Sequence, residues 1–352
     1  MIKLEEYLKN KKTYIIAEMS GNHGGDFNKC KEIINAAADA GADCLKIQTY
    51  TKDTLTIDCN RDEFIIKGGL WDKENLYSLY SKAYTPWEWT KDIKKLAEER
   101  GMDFLSTPFD FTAIDFLEEL GLEFYKIASM EIVDLPLIKK VAQTGKPLLL
   151  SCGMASEEEI KEAVNVFKKY SKSQLVLLKC CSAYPTKYED LNLDTIPDMI
   201  KKFGTYVGLS DHSGGTLPDI VAVTKGACVI EKHFCISKND KTVDSDFSLD
   251  KDEFKQLVED IRNTEKSLGE PNYGPSNDEK QSYNLRRSLY VVKDIKKGEK
   301  FSSENIRSIR PSNGLHTKYY EFLINNGTAS CDIKFGTPLN ESMINEKLDV
   351  II

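Results

Sequence analysis

The sequence predicts a (β/α)8 TIM barrel followed by a small C-terminal domain. Three observations predict it. Strand-like apolar runs alternate with amphipathic helical stretches eight times over about 255 residues, the usual length of such a barrel. All eight runs end in polar or charged residues, as strands do where they emerge on the catalytic face of a barrel. Beyond residue 268 the pattern changes to short apolar pieces separated by turns. A doubly wound open sheet fits less well. No GxGxxG follows the first strand, and polar residues end every strand rather than those at one switch point.

The first strand is Tyr14–Ser20, closing in the glycine-rich Gly21-Asn-His-Gly-Gly25. Asp26 supplies an N-cap for a helix running to Ala40, and Gly41 stops it. Cys44–Tyr50 is the second strand, followed by a long excursion and a helix from about Pro86 to Arg100. Met102–Phe109 and a helix over Phe111–Leu120 come next, then Phe124–Glu131 and a helix over Leu135–Gln143. Pro147–Gly153 is the fifth strand. Its helix starts at Ser156, where Glu159 completes a capping box, and runs to Tyr170. Leu175–Cys181 and a helix over Asp194–Phe203 form the sixth unit. Tyr206–Ser213 and Cys228–Phe234 are the seventh and eighth strands, with helices over Leu217–Lys225 and Lys251–Leu268. The barrel thus spans 1–268. Residues 269–285 are polar, hold Pro271, Gly274 and Pro275, and read as a linker; 286–352 form the small domain.

The composition is that of an ordinary soluble protein, 41% hydrophobic and 30% charged. The N-terminal stretch carries acids where a signal peptide needs an apolar core. No apolar run reaches membrane-spanning length, so the expectation is a cytoplasmic protein with no membrane partner. The nine cysteines lack CxxC spacing and fall mostly in apolar runs, as reduced buried thiols do. A net charge of −8 argues against a nucleic-acid partner. From Arg286 onward 11 Lys and Arg face 8 Asp and Glu, a net +3; residues 1–285 carry 37 against 48, a net −11. A basic tail beside an acidic body suits docking to an anionic ligand or a neighbouring subunit.

Two of the four histidines, His212 and His233, end consecutive strand runs. At neighbouring strand ends two imidazoles can converge on one metal ion. With two protein ligands, water and substrate oxygens must complete the shell. That shell suits manganese or magnesium better than zinc, which usually takes three protein ligands. Lys46 and Lys126 lie inside apolar strands, where a cation is costly unless something anionic meets it. With Ser129, Ser151 and Ser210 they would make a phosphate cradle; alternatively each pairs with a carboxylate such as Glu18 or Glu131. Gln48, Thr107, Ser182 and Tyr184 also stand at strand ends.

Several of these stretches together resemble the sialic acid synthase family. They are Ile-Ile-Ala-Glu18, Asn22-His23, Leu-Lys46-Ile-Gln48-Thr, Ser106-Thr-Pro-Phe, Tyr-Lys126-Ile-Ala-Ser129-Met-Glu131, Gly-Leu-Ser210-Asp-His212 and Glu-Lys-His233-Phe. In that family a phosphoenolpyruvate-condensing barrel precedes an antifreeze-like (SAF) domain, which the segment from Val292 through Arg310-Pro-Ser-Asn-Gly314 resembles. Within the family, the excursion Glu63–Tyr77 and Thr85–Trp89 is most similar to the pseudaminic acid synthase branch. The resemblance implies condensation of phosphoenolpyruvate with an open-chain amino sugar, 2,4-diacetamido-2,4,6-trideoxy-altrose, with C–O cleavage and release of phosphate. It implies a divalent metal on His212 and His233, manganese first, with magnesium or cobalt as substitutes. Phosphoenolpyruvate would lie on Lys46, Lys126, Ser129, Ser151 and Ser210, with Glu131 as acid/base. Glu18, Gln48, Thr107, Ser182, Tyr184 and Asp244 would face the sugar or orient water. Arg310 would reach the partner's barrel in a domain-swapped homodimer. Cys152 and Cys181 depart from the family by replacing Thr, and His23 and His316 stay open between site and surface. The other readings are a legionaminic or N-acetylneuraminic acid product, a Schiff-base aldolase on Lys46 or Lys126, and a non-catalytic carbohydrate-binding protein.

Overall fold

A computed structural model describes residues 3–348. The chain divides into two compact units, Met1–Gly269 and Glu270–Ile352.

The first unit is a closed parallel barrel of β1 (Tyr14–Glu18), β2 (Cys44–Thr49), β3 (Asp103–Pro108), β4 (Tyr125–Ile127), β5 (Leu148–Ser151), β6 (Leu175–Cys180), β7 (Tyr206–Asp211) and β8 (Val229–His233). Closure comes from β8 pairing with β1, from Tyr14 against Val229 to Glu18 against His233. The helices are α1 (Lys3–Lys9), α2 (Phe27–Ala40), α3 (Lys52–Leu55), α4 (Leu76–Ala83), α5 (Thr90–Glu99), α6 (Phe111–Glu119), α7 (Leu135–Gln143), α8 (Glu157–Tyr170), α9 (Thr195–Phe203), α10 (Leu217–Thr224) and α11 (Lys251–Leu268). The eight strand–helix units read from the sequence are all present, and the caps are the expected ones. Asp26 accepts from Asn28 N, Gly41 closes α2 at φ 90°, and Ser156 with Glu159 forms the capping box of α8. The sequence reading missed α1. Its Leu4 and Leu8, one turn apart, pack into the barrel's interior core, a tertiary contact that seven residues cannot announce.

The strand period of two sorts the barrel into two cores. Ile15, Ala17, Leu45, Ile47, Tyr125, Ile127, Leu148, Leu150, Leu177, Leu209 and Ile230 face outward, against helix residues such as Ile33, Ile138, Val164 and Leu257. The alternate residues Tyr14, Ile16, Cys44, Leu105, Phe124, Leu149, Val176, Leu178 and Val229 fill the interior. Continuing that inward parity toward the C-terminal ends brings Glu18, Lys46, Gln48, Thr107, Lys126, Ser151, Ser210, Glu231 and His233 to one mouth. Lys232, one residue off, belongs to the outward set.

The second unit has its own core of Leu289, Val291, Ile295, Phe301, Ile306, Leu323, Ala329, Ile333, Leu339 and Ile344. It pairs β9 (Ser288–Val291) antiparallel to β10 (Ile306–Ile309) and adds α12 (Tyr320–Asn326). The turns between its short pieces place Gly298 and Gly336 at φ 80°, where a side chain would be strained.

Candidate active site

The lysines of β2 and β4 are almost wholly buried, and carboxylates meet them. Lys46 Nζ lies 2.6 Å from Glu18 Oε2 and 3.7 Å from Glu231 Oε1. Lys126 Nζ lies 3.2 Å from the same Glu231 oxygen, which also accepts a hydrogen bond of 2.9 Å from Ser210 Oγ. Burial pushes Glu231 up, but the ammonium groups of Lys126 and Lys46 outweigh it and hold the carboxyl at about 2. Burial leaves Glu18 above its ordinary value despite Lys46. Burial lowers Lys46, yet Glu18 and Glu231 raise it further, so it keeps its charge. Of the two carboxylates proposed as lysine partners, Glu18 takes that place, whereas Lys126 pairs with Glu231 rather than Glu131. Glu231 is the residue the sequence reading left out of the site. Its signal was available: it stands two residues before His233 and so shares its face.

Around these charges sit hydroxyls and a backbone opening. Ser151 Oγ is buried and without a hydrogen-bond partner among the described residues. Ser129 Oγ accepts from Gly153 N at 3.0 Å. A Cβ on Gly153 would lie 2.8 Å from Ser129 Oγ and closer still to Ser182 Oγ, so only glycine keeps this space open. Thr107 accepts from Lys46 Nζ at 3.5 Å, and Gln48 Nε2 donates to Glu18 at 3.2 Å and to Ser20 at 3.0 Å. A concave set of hydroxyls with two cations is chemically matched to a phosphate or carboxylate group. Glu131, in the single turn Ser129–Val133 after β4, leaves Oε2 buried and without a hydrogen-bond partner among the described residues. Burial raises its carboxyl to about 7, the Lys126 charge only partly opposing this.

His212 and His233 come together at the ends of β7 and β8, ring centroids 5.3 Å apart. His212 Nδ1 lies 3.1 Å from the carbonyl of Cys181 and so carries a proton. Burial lowers this ring, but Cys180 and that carbonyl raise it above its ordinary value, so a cation would take Nε2 in place of a proton. His233 Nδ1 is buried with no hydrogen-bond partner among the described residues and lies 3.9 Å from Asp244 Oδ2. Burial, then the charges of His212, Lys46 and Lys126, drives His233 far below its ordinary value, so it is neutral and keeps a lone pair. Two imidazoles so placed could share one divalent cation. Among the described residues no group of three or more His, Cys, Asp or Glu converges to hold an ion alone, so oxygens from elsewhere would have to complete the shell. Cys180, also unforeseen, lies 3.7 Å from His212 Nδ1. Burial raises this thiol, but His212 pulls it down to about 7.

An aromatic wall lines the two imidazoles. Tyr184 is 4.4 Å from the His212 ring and Phe247 is 4.8 Å from the His233 ring. Trp71, from the excursion, meets Tyr184 at 5.6 Å and Phe247 at 6.3 Å. Asp244 is buried, accepting from Gly21 N at 3.3 Å. His23 is no surface residue: it is buried, bonded to Thr85 Oγ1 at 3.1 Å, and lowered by burial to about 4. Arg310 lies in the second unit, exposed, just after β10.

Residues 33–273 match the NeuB family, and residues 286–345 match the SAF domain. The chain belongs to the NeuB family. The resemblance read from its motifs is therefore that of its own family. It is 47% identical over 95% of its length to a pseudaminic acid synthase of Campylobacter jejuni, covering 97% of that relative. It is 40% identical to an N,N'-diacetyllegionaminic acid synthase of the same species, over 89% of this chain and 95% of the relative. Among solved structures it is similar to an N-acetylneuraminic acid synthetase from Leptospira borgpetersenii crystallised with citrate. The TM-score is 0.69 at 33% identity, covering 77% of this chain and 90% of that one. As a NeuB-family member, the protein carries its polar constellation where barrel enzymes keep their chemistry.

Proposed function

We propose that the protein is a pseudaminic acid synthase. It condenses phosphoenolpyruvate with 2,4-diacetamido-2,4,6-trideoxy-altrose and water, giving pseudaminic acid and phosphate. The observation that carries this is 47% identity to a pseudaminic acid synthase across nearly the full length of both chains, against 40% to a legionaminic acid synthase. The site chemistry supports it. Lys46 and Lys126 with Ser129, Ser151 and Ser210 bind phosphoenolpyruvate, the substrate anion competing with Glu18 and Glu231 for the ammonium groups. C3 of the enol attacks the aldehyde carbon, whose oxygen takes a proton; water adds to C2, and the C–O bond to phosphate breaks. Glu131, poised near neutrality, gives and takes protons beside the reacting carbons. Gln48, Thr107, Ser182, Tyr184, Glu18 and Asp244 orient the sugar and the water. His212 and His233 hold a divalent ion, manganese first, with magnesium or cobalt as substitutes. When bound, such an ion supplies Lewis-acid polarisation of the aldehyde.

The protein works as a homodimer in which Arg310 of one chain completes the barrel of the other. Support comes from the barrel mouth, where Met130, Val133, Met154 and Leu217 are each more than half exposed, an apolar rim that calls for a cover. A Schiff-base aldolase fits less well, because Lys46 and Lys126 are both ion-paired with carboxylates and a Schiff-base lysine works as the free amine.

The test uses phosphoenolpyruvate labelled with 18O at the bridging oxygen and a panel of amino sugars, with mass spectrometry of both products. The expected result is label in phosphate, and pseudaminic acid from the altrose sugar in preference to N-acetylmannosamine and the legionaminic precursor. Product from one of the other sugars alone would reassign the substrate. Label retained in the sugar acid would overturn the mechanism.

A further inference from the structure

The outward-facing residues behind the two imidazoles form a buried charged cluster that the proposed reaction does not use. Lys232 is 0% exposed, and so are Asp211 and Asp219. Lys232 Nζ is ion-paired with Asp211 Oδ2, lies 3.7 Å from Asp219 Oδ2 in the first turn of α10, and donates to the carbonyl of Ser213 at 2.8 Å. Asp211 in turn accepts from Ser213 N at 2.9 Å and Ser213 Oγ at 2.8 Å.

The register explains why this matters. On β7 and β8, Ser210 stands opposite Glu231 and Asp211 opposite Lys232. The next step along both strands is His212 and His233. The inward side of this ladder carries a hydrogen bond from Ser210 to Glu231 and then the two imidazoles. The outward side carries the Asp211–Lys232 pair between them. Because Lys232 holds both Asp211 and the carbonyl of Ser213, the residues on either side of His212 are tied to the residue just before His233. Stability does not explain such a cluster. Charges taken wholly out of water are costly, and apolar side chains of similar volume serve stability as well or better. What it supplies is a fixed distance and direction.

We propose that Lys232, with Asp211, is a positioning pair that sets the separation and ring orientation of His212 and His233 as a divalent-cation site. This rests on the reading that those two imidazoles bind the ion. Lys232 touches neither the ion nor the substrate; it acts through the backbone that carries the ligands, as outer partners of metal ligands do.

The test titrates Mn2+ calorimetrically into the full-length, metal-stripped protein, with phosphoenolpyruvate binding and thermal midpoint measured in parallel. Wild type is expected to bind Mn2+ and His212→Ala to lose it. Failure of either arm overturns the two-imidazole reading and the positioning role with it. The second arm is the charge-neutral variant Lys232→Met/Asp211→Asn/Asp219→Leu, which leaves no unpaired buried charge. Its Mn2+ affinity is expected to fall about tenfold or more, as for other outer-shell losses. Phosphoenolpyruvate affinity should stay within about twofold and the thermal midpoint should not drop. If wild type binds Mn2+ through His212 but this variant keeps its affinity, the positioning role is wrong while the metal reading stands. If all three readouts fall together, the cluster is only structural. Should the triple variant not fold, Asp211→Asn decides. It preserves shape, is expected to weaken Mn2+ binding about tenfold without altering phosphoenolpyruvate binding, and overturns the role if affinity is unchanged.

Discussion

At the scale of single residues, Glu131 carries the most informative titration. Burial raises it from an ordinary 4.5 to about 7, so in the folded chain it still binds its proton where the unfolded chain has released it. Stability from this group is present below 4.5, declines as pH rises to about 7, and is flat beyond. Glu131→Gln removes the linkage. The variant's thermal midpoint should therefore gain on wild type between pH 4.5 and 7 and hold that gain above 7. Its kcat should fall by about 10²–10⁴, the usual contribution of a positioned acid/base, with phosphoenolpyruvate affinity nearly unchanged. A flat difference in midpoint across that range would place Glu131 in water, and an unchanged kcat would remove it from the chemistry. Much of the mouth was legible from the period of two alone. Lys46, Gln48, Ser210 and the histidines fall on the inward parity of runs that can be read without coordinates. The counter-ion of Lys126 was not legible, because Glu231 reaches it across the barrel, and only the closed ring decides which of several carboxylates meets which lysine.

At the scale of elements, the excursion between β2 and α5 is where sequence said least and structure adds most. Its helices α3 and α4 are four and eight residues long, too short for a periodicity to declare itself. Caps are visible only in retrospect: Asn75 accepts from Tyr77 N and Ser78 N at the start of α4. The excursion matters because it delivers Trp71 onto Tyr184 and Phe247, the rings that flank the two imidazoles. If this wall shapes the sugar's position, Trp71→Ala should reduce kcat/KM for the amino sugar about tenfold. Loss of two aromatic contacts, each worth ~0.5–1.5 kcal/mol, sets that magnitude. Phosphoenolpyruvate binding, which depends on residues of β2, β4, β5 and β7, should not change. Stopped-flow binding of phosphoenolpyruvate alongside steady-state sugar kinetics separates the two. An equal loss for both substrates would mean that Trp71 supports the barrel mouth as a whole.

At the scale of the whole molecule, the chain has two units with separate cores, and each can be assigned its own task. The barrel contains the charged mouth. The second unit carries Arg310 exposed on a basic segment, while the mouth's apolar rim at Met130, Val133, Met154 and Leu217 lies open. In a dimer where each second unit serves the other barrel, two different inactive chains must rescue one another. His212→Ala leaves Arg310 intact, and Arg310→Ala leaves the barrel intact. Mixed, refolded together and allowed to pair at random, they give mixed dimers for half of the population, each with one complete site. About a quarter of all sites should then be active, against almost none in either variant alone. The sugar-acid product measured over a range of mixing ratios should peak at equal amounts. No recovery, with mixed dimers shown to form, would mean that Arg310 serves its own chain or neither, and that the acidic barrel and basic tail meet for some purpose other than catalysis.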